Sequence, residues 1–174
     1  AKSLNRELIS EKVSYGLRNP SRSIVPPILK KGNQDLWPKY NPLEAKDLLQ
    51  KEGFCNGNLL VIPLTYRSNV PADKLVALSW QEDIKNVLND CIEIKLNSVE
   101  STTIYKNLSL GVYTAVILDW SGAYSDPEAY LKPLLSCSEI EASKCKKGES
   151  VYSGSFWGSD KVEKLFSESE NIVG

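Results

Sequence analysis

Apolar residues recur along this chain at two spacings, one typical of helices and the other typical of strands. In the clearest helical segment, Ala77, Trp80, Ile84, Val87 and Cys91 form one apolar stripe. Steps of three and four residues, together with capping residues, predict helices at residues 3–16, 41–53, 71–90 and 98–111, and shorter ones beginning at Asp126 and at Ser159 or Asp160.

Apolar runs bounded by turn residues predict three strands, at residues 58–66, 91–97 and 112–120. The second run alternates apolar and polar residues, as a half-buried strand does. A strand, a long helix and a strand in succession form a βαβ unit, whose two strands are parallel. Pro63 lacks an amide hydrogen and predicts that no backbone donor is used at this point of the first strand, as at an edge or a bulge. These elements predict one α/β domain with at least three strands.

Residues 17–43 contain five prolines and no regular period, which predicts an extended connection along the surface. Trp37 and Tyr40 are expected to fix this connection to the body of the domain. The chain has 174 residues, a length that suits a single domain spanning residues 1–174.

The charge and the apolar runs argue against several classes of function. The chain carries 21 Lys and Arg against 22 Asp and Glu, so it has no basic surplus for nucleic acid or an anionic membrane. Its longest apolar run is far shorter than the roughly 20 residues of a membrane helix. Because it has no methionine and no signal peptide, we expect a segment cut from a longer chain or a processed protein.

The histidine and cysteine content narrows the chemistry further. With no histidine, the chain cannot form a Ser-His-Asp triad, a Cys-His pair or a His-ligated zinc site. Four cysteines without a C-x-x-C spacing indicate two disulfides and an oxidising compartment, with buried free thiols as the alternative. Cys55 and Cys91 precede adjacent parallel strands, whose starts lie within about 5 Å, and so predict one bridge. Cys137 and Cys145 bracket a polar loop and are placed to close it as a second.

A candidate ligand site follows the third predicted strand, in the stretch DWSGAY at residues 119–124. Ligands of open α/β sheets bind beyond the carboxyl ends of the strands. Trp120 offers a flat apolar wall, and the three small residues after it permit close approach of a ligand's backbone. The Asp-Pro pair at residues 126–127 has a structural explanation instead, as the cap and first residue of the next helix.

Five segments of the chain, in order, resemble motifs of one protein family. They are LNRELISEKVSYGL, SIVPP, YNPLEAKDLLQKEGF, VYTAVILDWSGAYSDPEAYL and VYSGSFWGSDKVEKLF. The third is similar to the family's Y-D-P-x-x-A-K-x-L-L-x-x-A-G helix, and the fourth to its D-x-x-x-x-G-W-x-A-D-Y-x-D-P segment. The ordered set resembles the distal, C-terminal lobe of the extracellular solute-binding proteins of peptide-type ABC importers, bacterial solute-binding family 5.

The resemblance implies a fold and a function. The implied fold is one lobe of a type II periplasmic-binding-protein-like structure, with a mixed sheet flanked by helices. The implied function is that of the substrate-binding component of an ABC importer, with no enzymatic activity and no cofactor, which captures a peptide or similar small solute between two lobes. The implied partners are a missing N-terminal lobe and ABC permease subunits, not nucleic acid. The implied location is periplasmic or extracellular, with a membrane anchor allowed in the full-length protein.

The resemblance also implies ligand contacts, and this chain departs from the family pattern at one of them. In peptide-binding members, an Asp three residues after the tryptophan pairs with the α-amino group of the peptide, but that position is Ala123 here. Because a desolvated, unpaired ammonium is costly, either the ligand lacks this group or Asp119 or Asp126 supplies the carboxylate. The wider family also takes nickel complexes, haem, glutathione and sugars.

A second group of implied contacts lies in the loop at residues 65–71. Dipeptide-binding relatives place an Arg in this region for the ligand's carboxylate, a role that Arg67 can fill with two hydrogen bonds; the alternative is a solvated loop charge. Backbone groups of residues 120–122 can pair with an extended ligand as an added strand. The full set of implied ligand-binding residues is Trp120, Ser121, Gly122, Ala123, Tyr124, Arg67, Tyr66 and Asn69.

Two other functions stay open at this stage. A carboxylate-based hydrolase would use Asp119 and Asp126 as an acid–base pair, although no motif orients them. A structural or adaptor α/β domain would have a smooth surface without a cleft near Trp120.

Overall fold

The computed structural model describes residues 1–29 and 35–171, and in these ranges the chain forms seven α-helices and five β-strands. The helices are α1 (Arg6–Ser14), α2 (Pro42–Lys51), α3 (Pro71–Val87), α4 (Ser101–Asn107), α5 (Glu128–Leu135), α6 (Glu149–Tyr152) and α7 (Asp160–Glu170). The strands are β1 (Leu60–Arg67), β2 (Ile92–Val99), β3 (Ala115–Val116), β4 (Glu139–Glu141) and β5 (Lys144–Lys147). Short 3-10 helices lie at Pro27–Leu29 and Leu108–Leu110.

The chain folds into two compact units, each made of segments that lie close together in space. Unit 1 comprises Ala1–Ser23, Gly32–Ile104 and Tyr113–Asp119, and unit 2 comprises Ile24–Lys31, Tyr105–Val112 and Trp120–Gly174. Among the described residues, none of the helices combines the length and the apolar character that a membrane span requires.

Unit 1 is built on a parallel sheet of three strands in the order β2-β1-β3. β1 and β2 pair along their whole lengths with α3 between them in sequence, which confirms the predicted βαβ unit. β3 is much shorter than the strand predicted at residues 112–120, because only Ala115 and Val116 form the ladder with β1. The α/β prediction is confirmed, but parallel and antiparallel pairs lie in separate sheets rather than in one mixed sheet.

Pro63 lies in the central strand, so the prediction of an edge or a bulge at this position is wrong. Along a strand, alternate residues direct their amide groups to opposite neighbours. Leu60 donates to the residue before β2, and Thr65 accepts from the residue after β3, so Pro63 faces the β3 side. β3 pairs only with Leu64 and Thr65, and the missing amide hydrogen of Pro63 therefore removes no ladder bond.

The core of unit 1 lies between α3 and the sheet. Ala77 and Ile84 of α3 are fully buried and pack with apolar residues of β1 and β2, as the helical stripe predicts. Val87 was expected on the same stripe but is 38% exposed. α3 ends at Val87, and the next residue, Leu88, donates its amide to Ile84 and turns its side chain fully into the core.

The first disulfide joins Cys55 to Cys91, as predicted, with 3.8 Å between their Cα atoms. Cys91 directly precedes β2, whereas Cys55 stands before a tight turn in which it exchanges backbone hydrogen bonds with Asn58. The amide of Leu60 then donates to the carbonyl of Cys91 at 2.9 Å, so the bridge lies where the β1–β2 ladder begins.

Residues 30–34 of the proline-rich connection lie outside the described residues. The part of the connection that follows them is attached to unit 1 through Trp37 and Tyr40. The Arg6 guanidinium lies 5.5 Å from the centroid of the Trp37 ring. The Tyr40 hydroxyl donates to Asp83 at 3.2 Å, and burial together with that carboxylate raises the pKa of Tyr40 to about 12. The expectation that Trp37 and Tyr40 fix this segment is therefore confirmed.

Unit 2 contains a hairpin that the sequence did not predict. β4 and β5 pair antiparallel around Ala142 and Ser143, whose φ angles are positive at 46° and 64°. The expected polar loop is thus a short two-stranded sheet, hidden in the sequence because its strands, EIE and KCKK, are almost entirely charged. Cys137 and Cys145 form the predicted second disulfide, which links the start of the hairpin to β5.

Candidate functional site

The Trp120 side chain is the most prominent feature of the candidate site in unit 2. The residue is 59% exposed, and the indole N–H donates to the carbonyl oxygen of Ala129 in α5 at 2.9 Å. This hydrogen bond fixes the ring against the first turn of α5 while most of its surface faces solvent. Tyr124 is also largely exposed, as are Ser121 and Ala123, which lie between the two aromatic residues in the sequence. An exposed, anchored indole is the arrangement that a ligand wall requires.

Gly122 has a packing reason to be glycine. A Cβ at this position would lie 2.7 Å from a ring carbon of Tyr130 and 3.1 Å from the Cβ of Ala129. Asp126 accepts a hydrogen bond from the amide of Glu128 at 2.8 Å, which confirms its structural role at the start of α5. Pro127 precedes the helix rather than opening it.

Arg67, at the end of β1 in unit 1, is held by two carboxylates of its own chain. Its Nε and Nη2 donate to Oδ2 and Oδ1 of Asp73 at 2.6 and 2.9 Å. Its Nη1 donates to Oδ1 of Asp119 at 2.5 Å. The hydrogen bonds that Arg67 donates to Asp73 raise its pKa most, burial lowers it, and the hydrogen bond donated to Asp119 raises it further. The guanidinium is therefore charged at neutral pH and throughout the pH range in which folded proteins are stable.

The three charged groups differ sharply in exposure. The side chains of Arg67 and Asp73 are 7% and 8% exposed, whereas that of Asp119 is 76% exposed. The alternative of a solvated loop charge at Arg67 is therefore wrong, because the guanidinium is buried. Its contact with a ligand carboxylate stays a prediction.

Tyr66 and Asn69, the other predicted contacts of unit 1, have structural partners. Tyr66 is 9% exposed and belongs to the apolar core of the unit. The Asn69 Oδ1 accepts hydrogen bonds from the amide and the hydroxyl of Ser101, at 3.1 and 2.6 Å, and so caps the start of α4. The contact of Tyr66 and Asn69 with a ligand stays a prediction.

Sequence reasoning missed Asp73, the residue that orients Arg67. Asp73 lies in the first turn of α3, where an acidic residue is expected for helix stability alone. The one signal in the sequence was that Asp73 follows Arg67 by six residues, across the turn from strand to helix. Many oppositely charged residues on protein surfaces have the same spacing, so the signal is weak. Within residues 1–29 and 35–171, no cluster of carboxylates and thiols is arranged to hold a metal ion.

Comparison with known proteins identifies relatives over most of the chain. The family described as bacterial extracellular solute-binding proteins, family 5 Middle, matches residues 1–142. Heme-binding protein A of Haemophilus influenzae is 30% identical over 144 residues, which cover 79% of this chain and 25% of that protein. The dipeptide-binding protein of Escherichia coli is 26% identical over 142 residues, covering 79% of this chain and 26% of that protein.

Solved structures share the fold along the whole chain. The dipeptide-binding protein from Pseudoalteromonas sp. SM9913, in complex with Met-Leu, superposes with a TM-score of 0.79 at 22% identity, covering 99% of this chain and 32% of that one. OppA of Burkholderia pseudomallei gives 0.77 at 23% identity, covering 100% and 33%. These likenesses confirm a periplasmic-binding-protein-like α/β fold.

The chain spans about a quarter of the length of these curated relatives and about a third of the solved chains. The match over residues 1–142 shows that this chain belongs to the bacterial extracellular solute-binding proteins of family 5.

Proposed function

We propose that this chain is one lobe, a single domain over residues 1–174, of the substrate-binding component of an ABC importer. The full-length protein captures a peptide or similar small solute between this lobe and an N-terminal lobe, and delivers it to permease subunits in the membrane. It is a binding protein and not an enzyme. The observation that carries the proposal is the family match over residues 1–142.

The names of several relatives support a peptide as the solute, although the Haemophilus influenzae relative is named for heme. Two of them are a dipeptide-binding protein of Escherichia coli and a di/tripeptide-binding protein of Pseudomonas aeruginosa, which is 29% identical over 133 residues. The two disulfides support a periplasmic or extracellular location, since such bonds persist in oxidising compartments. The proposed ligand contacts are Trp120, Ser121, Gly122, Ala123, Tyr124, Tyr66, Arg67 and Asn69.

Binding by two lobes makes a direct prediction for calorimetry. The full-length protein is expected to bind a di- or tripeptide at micromolar Kd or tighter, and the 174-residue chain alone at least about 100-fold more weakly, because half of the contacts are absent. Equal affinity of the isolated chain would overturn the two-lobe arrangement. A full-length protein that binds no member of a di- and tripeptide library would overturn the assignment of a peptide as the solute.

The departure from the family pattern at Ala123 predicts a gain of affinity. In the full-length protein, Ala123→Asp is expected to tighten binding of peptides with a free amino terminus by about 10- to 100-fold, because a carboxylate then pairs with the ammonium. N-acetylated forms of the same peptides should not gain. Ala123→Asn is the matched control, since it has the same shape without the charge. A similar gain for acetylated peptides would show that the position does not face the amino group.

A further inference from the structure

We propose that Asp119 is a specificity-determining residue that excludes ligand carboxylates from Arg67. The inference rests on the proposed function, because it concerns which solutes the protein accepts. It does not follow from the family pattern, which implies an Arg that receives the carboxylate of the ligand. The structure instead shows a carboxylate of this chain in contact with that Arg.

Both hydrogen-bonding edges of the Arg67 guanidinium are engaged by the chain. Asp73 takes the Nε and Nη2 edge with both of its oxygens, in the bidentate geometry that suits a guanidinium best. Asp119 takes Nη1. A carboxylate arriving from solution would have to displace one of these two residues to reach the guanidinium.

The two carboxylates are not equally replaceable. Asp73 is buried and also lies within 3.4 Å of the backbone amide of Arg67, so its removal would leave a buried cation without its bidentate partner. Asp119 is 76% exposed, and its place is the one that a solute can reach. Asp119 therefore occupies the position on Arg67 that a ligand carboxylate would take.

Charge and chain connectivity both favour Asp119 over an incoming carboxylate. One guanidinium already faces two carboxylates, so the three groups carry a net charge of −1 and repel a further anion. Asp119 follows β3, which pairs directly with β1, and a tethered group competes at an effective concentration on the order of millimolar or higher. The part of the ligand that meets Arg67 is consequently neutral or cationic, such as an amide or an amine.

Acetate titration tests this directly, using the full-length protein with 15N-labelled arginine and the Arg67 side-chain resonance as the readout. In the wild type, acetate should give no saturable shift of this resonance. In Asp119→Asn, acetate should bind with saturation and at least about tenfold more tightly. Asp47→Asn is the control, because it removes one exposed carboxylate from α2 and should behave as the wild type. Identical acetate responses in the wild type and Asp119→Asn would overturn the inference.

Peptide pairs separate this inference from the proposed function. Ala-Leu and its C-terminal amide differ only in the carboxylate, and Asp119→Asn should shift the preference toward the free acid by about 10- to 100-fold. If neither form binds while the acetate responses still differ, the proposed function fails and the role of Asp119 stands. If both forms bind and the acid-to-amide ratio is the same in wild type and variant, the role of Asp119 fails and the proposed function stands.

Discussion

Replacing both Cys55 and Cys91 with alanine is expected to lower the free energy of unfolding by about 4 kcal/mol. The bridge closes a loop of 36 residues that contains β1 and α3, so its loss returns a large conformational entropy to the unfolded chain. Urea denaturation of the double variant and the wild type, followed by circular dichroism, measures the difference. Since the free energy of unfolding of a folded protein is only about 5–15 kcal/mol, this change is a substantial part of it.

The second disulfide supplies a matched control. Cys137 and Cys145 are as buried as the first pair, but they close a loop of only 8 residues. The same entropy argument gives about 2.5 kcal/mol for this pair. A loss from Cys137→Ala with Cys145→Ala that equals or exceeds the loss from the first pair would contradict the loop-entropy explanation and indicate that side-chain packing dominates.

Asp73→Ala is expected to destabilise the protein by about 3–5 kcal/mol, because it leaves the Arg67 guanidinium buried without its bidentate partner. Because the pKa of a guanidinium lies far above pH 9, Arg67 stays charged in the variant, and the loss should be the same at pH 6 and pH 9. Chemical denaturation at the two pH values provides the measurement.

Asp119→Ala is the control for this prediction, since it removes the other carboxylate from the same guanidinium. Asp119 is largely exposed, and solvent and salt screen its ion pair, so the expected loss is about 1 kcal/mol or less. Equal losses for the two variants would mean that burial does not distinguish the two ion pairs. If Asp73→Ala does not fold, Asp73→Asn keeps the shape and should show a smaller loss than Asp73→Ala in the same assay.

Local sequence signals predicted most of the secondary structure, and their failures have identifiable causes. Asn41, the first residue of the helix predicted at residues 41–53, caps α2, since its side chain accepts a hydrogen bond from the amide of Glu44 at 3.1 Å. Helical periodicity found the buried face of α3 but placed its end at Asp90, three residues beyond the observed end at Val87. The hairpin of unit 2 escaped because its strands are only three and four residues long and each has a single apolar residue, Ile140 or Cys145, which is too short a pattern to identify a strand.

The candidate site was predictable in part. The Trp120 segment was found because an apolar strand followed by an indole and small residues has few purely structural explanations, and the indole is indeed exposed. The loop of β1 was found only through resemblance to a family. Its residues also have structural contacts that the sequence did not indicate, since Tyr66 is buried in the core and Asn69 caps α4.

By itself, the sequence determined most of the helices, the three strands of the parallel sheet, the βαβ unit and both disulfide pairings. These depend on periodicity, caps and spacing, which act over a few residues or within one supersecondary unit. Only the tertiary structure decided the partners of Arg67. Asp119 is 52 residues away, and it reaches the guanidinium because β3 pairs beside β1. Strand order is set by the packing of the whole sheet, and no local pattern in the sequence records it.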